Sequence, residues 1–259
     1  MACITLLSDF GLQDTSVSAA KGILMQHIPH LQIIDLSHNI LPFHAAQAAY
    51  LLASAYRSFP AGTCHLILSD VFSEKPSRLL LTEYSGQFFL SADNGILPSA
   101  FRSGYNSWLY FEMNGDNTFS DWLHAAGKAT GSLQSAGPSS LSLSTFALRP
   151  LSSPKNRLSA DGVIDCEVVH IDNYGNAVLN ITKNEFEALA AGRSFRIQFK
   201  MVEDIDILSV SYADVREGYK LCRFNSNGHL EICINRGNAA SLFGLRLGGK
   251  NNDIKIYFE

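Results

Sequence analysis

Charge is scarce in this 259-residue sequence and neither sign dominates. Lys and Arg number 20 against 24 Asp and Glu, a formal charge of −4, and only 17% of residues are charged. A protein that grips a polyanion needs a basic stripe, so nucleic acid and anionic lipid are excluded as leading partners. Cysteines are few and odd in number (Cys3, Cys64, Cys166, Cys222, Cys233), without a C-x-x-C pair. Neither a disulfide framework nor a zinc knot follows, and buried free thiols are expected. No run reaches the roughly 18 apolar residues of a spanning helix, and the opening MACITLLSDFG lacks a basic n-region and a long apolar core. The expectation is a cytoplasmic protein with no membrane partner. Walker A, G-x-G-x-x-G, G-x-S-x-G and H-E-x-x-H signatures are also missing. The eight histidines are scattered, and His27 and His30 straddle Pro29, so no metal site is expected.

What is present is apolar material, 46% of a chain long enough for one large domain or two small ones. Residues 1 to about 130 alternate short apolar runs with helical patterns, the grammar of a mainly parallel α/β sheet, and the first domain is expected over 1–150. Strands are expected at Ile4–Leu7, Leu31–Asp35, Cys64–Asp70, Arg78–Glu83 and Gln87–Ala92. Helices are expected from Ser16 to Gln26, stopped by Pro29, and after Pro42. Between about 132 and 160 the composition shifts to Ser, Pro and Gly, the expected connection between domains. From 160 to 259 the grammar is β: Gly162–Ile171, Ala177–Ile181, Phe195–Met201, Lys220–Phe224, His229–Asn235 and Asp253–Phe258, with one short helix near Lys183–Ala191. Asn227-Gly228 signals a hairpin. The expectation is a small antiparallel barrel or sandwich.

Carboxylates stand at the ends of the apolar strands: Asp9, Asp35, Asp70, Asp93 and Asp172. Singly, each is a turn residue that bonds its own following backbone. Five together outline a crevice beyond the carboxyl ends of strands, where α/β sheets bind ligands. Asp9 suits the two hydroxyls of a ribose. Asp14 and Ser16 stand at a helix start, where they either hold an ammonium group or cap the helix. Phe43, beside Pro42, either faces a sugar or packs. In the second domain, Asp172-Asn173-Tyr174-Gly175-Asn176 combines an acid, a ring and two amides within five residues, enough for charge recognition, stacking and base-edge hydrogen bonds. Asn225-Ser226-Asn227-Gly228 and Asn235-Arg236-Gly237-Asn238-Ala239 repeat that character at the two ends of one expected strand, suggesting a second wall of a site.

These stretches resemble the S-adenosylmethionine hydroxide adenosyltransferases, relatives of the S-adenosylmethionine-dependent fluorinase and chlorinase. The resemblance spans nearly the whole chain, through LLSDFGLQDTSVSAAKG, IDLSHNILPF, YRSFPAGTCHLILSD, SADNGIL, VVHIDNYGNAVLNIT and NSNGHLEICINRGNAASLFGL. It implies a central, mostly parallel seven-stranded sheet, a β-rich C-terminal domain, and a homotrimer whose sites lie between subunits. It also implies hydrolysis of S-adenosylmethionine to adenosine and L-methionine, with no cofactor. By position, Asp9 resembles the ribose acid and Asp70 the catalytic aspartate. Asp14, Ser16, Asp172 and Ser226 match positions holding the methionine portion, and Phe43 the aromatic beside the sugar. Tyr174, Asn176, Tyr212 and Ala239 match the adenine pocket, and Asn94, Asn227 and Arg236 lie within the same matched stretches.

The sequence departs from the family after Asp70, where a Pro-Gly-Val-Gly stretch and an Arg-Arg pair are usual. Here Ser77 takes the place of the catalytic arginine and Arg78 matches the second, so Arg78 is expected to substitute beside Asp70. Lys128 or Ala129 falls at the family's histidine position, with His124 one turn early. The resemblance therefore implies a hydrolase first and, as the alternative, a weak or inactive S-adenosylmethionine or adenosine sensor. A carboxylate at the nucleophile position disfavours an incoming halide.

Overall fold

Apolar runs too short for helices become the strands of the N-terminal unit. The computed structural model describes residues 3–28, 30–101, 103–150, 162–200, 203–248 and 252–259, and the chain divides into two units, Met1–Ser152 and Ser153–Glu259. Chain order in the first is β1 (Cys3–Ser8), α1 (Ser16–His27), β2 (Gln32–Ser37), α2 (Ala45–Ala55), β3 (Cys64–Leu68), β4 (Arg78–Tyr84), β5 (Gln87–Ser91), α3 (Ile96–Phe101), β6 (Asn106–Glu112), α4 (Phe119–Ala136) and β7 (Ser144–Thr145). These strands form one sheet in the order β2-β1-β3-β5-β4-β6-β7. β2, β1, β3 and β5 are parallel neighbours, whereas β4 runs antiparallel to β5 and β6, and β7 antiparallel to β6. Five of the seven therefore run one way, the mostly parallel sheet expected. The reversal at β4 comes from a two-residue turn whose Ser85 and Gly86 have φ of 52° and 71°, the left-handed pair that joins twisted strands.

Alternation along the central strands fills two cores. Ile4, Leu6, Leu66 and Leu68 pack with Ala20 and Leu24 of α1 and Trp122, Ala126 and Leu133 of α4. Leu7, Ile67 and Phe89 meet Ala48 and Leu52 of α2 and Ile96 and Phe101 of α3. Both faces being covered explains why β1 and β3 read as continuous apolar runs. α4 lies close on α1 because Gly127 has no side chain; a Cβ there would stand 2.5 Å from the His27 ring.

The Ser-rich stretch departs from its expected role as a connection. α4 continues through Ala136, where Gly137 at φ 75° ends it, because Trp122, Ala126, Ala129 and Leu133 keep an apolar stripe at helical spacing. Residues to 150 stay on this unit: Leu148 joins its core, and the Arg149 N–H donates to Asp93 at 3.0 Å. The remainder of the expected connection, 151–160, lies outside the described residues, as do Pro29 and Met201.

In the C-terminal unit the elements are β8 (Val163–Cys166), β9 (Val168–Ile171), β10 (Ala177–Thr182), α5 (Lys183–Ala190), β11 (Phe195–Phe199), β12 (Glu203–Ile205), β13 (Lys220–Phe224), β14 (His229–Ile234), α6 (Ala239–Phe243) and β15 (Ile254–Phe258). They form two four-stranded antiparallel sheets, β13-β14-β10-β9 and β12-β11-β15-β8. No barrel closes among the described residues. One core, with Ile164, Leu179, Ile197, Phe199, Ile232 and Ile256, draws on both sheets. The single strand expected over Gly162–Ile171 is two strands in different sheets, broken at Glu167, whose N–H donates to the Asn180 Oδ1 at 2.9 Å. All five cysteines are free; four are buried and Cys3 is half-buried.

Candidate functional site

Because β1, β3 and β5 are parallel neighbours, the loops leaving their carboxyl ends share one edge of the sheet. Asp9 follows β1, Asp70 lies two residues beyond β3 and Asn94 three beyond β5. Hydrogen bonds draw them together. Asp9 Oδ2 accepts the backbone N–H of Asp70 at 3.3 Å and that of Phe43 at 3.2 Å. Asn94 Nδ2 donates to the Ser69 carbonyl at 2.7 Å and the Asp70 carbonyl at 3.4 Å. Phe43 and Asp70 both hold left-handed backbone, with φ of 63° and 47°, a conformation a non-glycine residue keeps only where its surroundings enforce it. Here the Asp9 carboxylate enforces both. Phe43 is 77% exposed, its ring unused by the core.

Two acids meet at this edge, and the second is perturbed. Burial, reinforced by the negative charge of Asp9, pushes the Asp70 carboxyl above its ordinary 3.8. That combination makes Asp70 a better proton acceptor than a surface aspartate, while the pair together favours a cationic ligand.

At the helix start beside this edge Asp14 Oδ1 accepts the Ser16 backbone N–H at 2.9 Å, and that bond holds its carboxyl below the usual range. Asp35 lies inside β2, not beyond it, paired with Lys21 Nζ at 2.6 Å and His38 Nε2 at 3.1 Å. Asp93 is buried and committed to Arg149. Sequence reasoning missed Ser8 and His38. His38 Nδ1 lies 2.6 Å from the fully buried Ser8 Oγ, which links Asp9's neighbour through His38 to Asp35. The only signal was the pairing of Ser8-Asp9 with Ser37-His38.

Among the described residues Arg78 makes no ion pair with Asp70. Its Nε donates to Glu112 at 2.7 Å, Glu74 lies 3.9 Å away, and the guanidinium stacks over Phe146. Arg78 starts β4 opposite Glu112 on β6, and these contacts occupy its guanidinium. An ion pair this exposed contributes about 1 kcal/mol or less. Arg78→Ala is therefore expected to change turnover by less than about threefold; a larger loss, measured at saturating substrate, would return Arg78 to the chemistry. His124 also stands apart. It contacts His27 at 2.8 Å, and His27 ends α1, whose twelve residues lead away from this edge by about 17 Å at 1.5 Å per residue.

A second cluster forms in the C-terminal unit at the β9–β10 turn. Asp172 Oδ1 accepts the N–H groups of Tyr174 and Asn176, both at 2.9 Å, and its Oδ2 accepts Asn176 Nδ2 at 2.8 Å. Gly175, at φ 82°, permits the turn and lets the Asn238 side chain lie against it; an added Cβ would stand 2.1 Å from Asn238 Cγ. The Gly175 carbonyl accepts the Ala240 N–H at 2.8 Å. The start of α6, with buried Ala239, is thereby held on the Asp172 turn. Tyr212 joins through Asn176 Nδ2 at 3.2 Å. Tyr174 is 76% exposed, and Arg236, paired with Glu217 at 3.6 Å, is exposed too.

Ser226 and Asn227 are not brought to this cluster. They lie in the β13–β14 turn, whose Gly228 carbonyl accepts the Lys183 N–H. β10 pairs Thr182 with His229 and Ala177 with Ile232, so its length of about 20 Å, at 3.3–3.4 Å per residue, separates that turn from Asp172. The two ends of one strand cannot form one wall within this unit.

Among the described residues no group of three His, Cys, Asp or Glu side chains is placed to hold a metal ion, and no helix is long and apolar enough to cross a membrane.

The chain is similar to known proteins along nearly its whole length. The chain is 28% identical over 264 residues to an (R)-S-adenosyl-L-methionine hydrolase of Salinispora tropica, covering 95% of each chain. It is 24% identical to the protein of the same name from Thermus thermophilus, covering 96% of this chain and 98% of that one. A fluorinase of Nocardia brasiliensis is 22% identical, with coverage of 95% and 94%. A solved structure from Thermotoga maritima, described as an uncharacterized conserved protein, shares the fold with a TM-score of 0.80 at 22% identity, over 98% of this chain and 99% of that one. The family models of the SAM hydroxide adenosyltransferase N-terminal and C-terminal domains match residues 4–125 and 166–251. With both its units matched, the chain belongs to the SAM hydroxide adenosyltransferase family.

Proposed function

We propose that the protein hydrolyses S-adenosylmethionine to adenosine and L-methionine. The observation that carries the reading is the joined pair Asp9–Asp70, in which a carboxyl of raised basicity stands on a backbone fixed by a second carboxylate. Water oxygen forms a bond to the 5′ carbon as the bond from that carbon to sulfur breaks. The bonding electrons go to sulfur, which leaves as a neutral thioether, and the proton of water passes to Asp70 and on to solvent. No acid is needed for departure and no cofactor enters. The protein's task is in-line positioning and general-base assistance.

Asp9, with Oδ1 taking none of the bonds that fix the loops, is assigned the ribose hydroxyls and Phe43 the sugar's face. Asn94 positions Asp70. In the C-terminal unit Asn176, Tyr174, Tyr212 and Ala239 are assigned to adenine and Asp172 to the methionine ammonium. Asp14, Ser16, Ser226, Asn227 and Arg236 enter on the family resemblance alone. A homotrimer with sites shared between subunits is part of the same proposal, and so is a cytoplasmic location.

Incubation of the purified protein with S-adenosylmethionine is expected to yield adenosine and methionine in equal amounts. Tight binding of S-adenosylmethionine with no adenosine formed, at enzyme concentrations comparable to substrate, would show a sensor and overturn the hydrolase reading.

A further inference from the structure

The C-terminal unit buries a charged group that neither the fold nor the proposed chemistry requires. Glu231 lies in the middle of β14, 3% exposed. It faces Arg223, its register partner on β13, with Arg223 Nε 3.8 Å from Glu231 Oε1. A carboxylate inside a β-sandwich is costly to desolvate, so its partners define what it does. Those partners form a directed chain. The Tyr212 hydroxyl donates to Glu231 Oε1 at 2.9 Å, and the Arg223 guanidinium covers the Tyr212 ring, its carbon 4.7 Å from the centroid.

Hydrogen-bond polarity then propagates without ambiguity. With the Tyr212 proton directed to Glu231, its oxygen offers a lone pair to Asn176. Burial and the adjacent carboxylate push the Tyr212 phenol up, keeping that proton in place. Asn176 Nδ2 donates to that oxygen at 3.2 Å and to Asp172 Oδ2 at 2.8 Å. Both amide protons are spent. Among the described residues Asn176 Oδ1 accepts no hydrogen bond, so the group that Asn176 has left to offer is an acceptor alone.

We infer that Glu231 is a positioning residue which, through Tyr212, occupies the second Asn176 proton and makes the adenine pocket selective for a purine with an N–H donor at its six position. This rests on the reading above that the Asp172–Asn176 turn receives the base. A 6-amino purine donates to Asn176 Oδ1, whereas a 6-oxo purine sets a carbonyl against it. A site built this way rejects the analogue that leaves its polar group unpaired. Asp172 fixes which way the amide faces; Glu231 and Tyr212 remove its remaining donor.

The test is the binding of adenosine and inosine to the full-length protein by calorimetry. Wild type is expected to prefer adenosine by about 100-fold or more. Glu231→Gln lets the tyrosine hydroxyl accept from the glutamine and frees an Asn176 proton, and Tyr212→Phe frees that proton while leaving the Glu231–Arg223 pair. Each is expected to narrow the preference by about tenfold, mainly through tighter inosine binding. A merely structural role would weaken both nucleosides together and leave the ratio unchanged. If Glu231→Gln fails to fold, Tyr212→Phe decides. Adenosine binding with an unchanged ratio in the folded variants, or a wild type indifferent to the two, overturns this inference alone. Failure of both nucleosides to bind the wild type overturns the proposed function with it.

Discussion

Asp70→Asn is expected to lower the turnover of S-adenosylmethionine by about 10²–10⁴-fold, the usual contribution of a positioned general base. The substitution is nearly isosteric. The bonds that hold the loop use the backbone of residue 70, its N–H to Asp9 and its carbonyl to Asn94, so the asparagine variant keeps the geometry and loses only the proton acceptor. Substrate binding, measured directly, should change little while kcat falls. A variant retaining more than a third of wild-type turnover would remove Asp70 from the chemistry.

The same assignment fixes a pH dependence. Asp70 works as the carboxylate, so kcat falls as pH drops through its pKa. Since burial and Asp9 raise that value, the acid limb lies above the 3.8 of an ordinary aspartate. Asp9→Asn removes the neighbouring negative charge and is expected to move the limb of kcat toward lower pH, whatever it does to KM. A limb that stays in place would show that Asp9 does not act on Asp70 electrostatically.

Gly175→Ala carries the second large effect, on stability. At φ 82° any Cβ meets the left-handed penalty of about 1–2 kcal/mol, and here it also stands 2.1 Å from Asn238. Overpacking of this kind adds about 1–3 kcal/mol, for a total of about 2–5 kcal/mol, read by denaturant unfolding. Gly192→Ala is the control: its φ is 84°, with nothing within 4 Å of the added atom, so only the backbone penalty applies. Equal losses in the two variants would refute the contact between the Asp172 turn and Asn238. Because Asn238 caps α6, its Oδ1 accepting the Ser241 N–H at 2.7 Å, displacing it should also weaken adenosine binding.

Much of the framework was legible in the chain. The runs ITLLS, CHLIL and QFFLS read as buried strands, and Asn227-Gly228 as a hairpin, because these signals depend on period and turn chemistry within a few residues. The Ser-rich end of α4 misled, since Leu133 there continues the buried stripe of Trp122, Ala126 and Ala129, while the Ser and Gly residues around it read by composition as a linker. The break at Glu167 was invisible for a related reason: nothing local separates one long strand from two that join different sheets.

The site divides along the same line. Residue type and strand-end position, which are local, sufficed to single out Asp9, Asp70, Asp172 and Asn176. Which acids would meet was decided by sheet order, since only parallel neighbours bring Asp9 and Asp70 to one edge, while Asp35, within β2, is drawn to Lys21 and His38. Pairing register sent Arg78 to Glu112 and set Ser226 and Asn227 a strand's length from Asp172. Register also placed Glu231 opposite Arg223, within reach of Tyr212 nineteen positions earlier. By itself, then, the sequence determined the α/β and β-rich grammar, the mildly acidic and apolar composition, and the chemistry of the side chains available. Which of those side chains touch was left to tertiary structure, because a one-residue slip in a strand reverses the face of every side chain on it and only packing of the whole sheet selects the register.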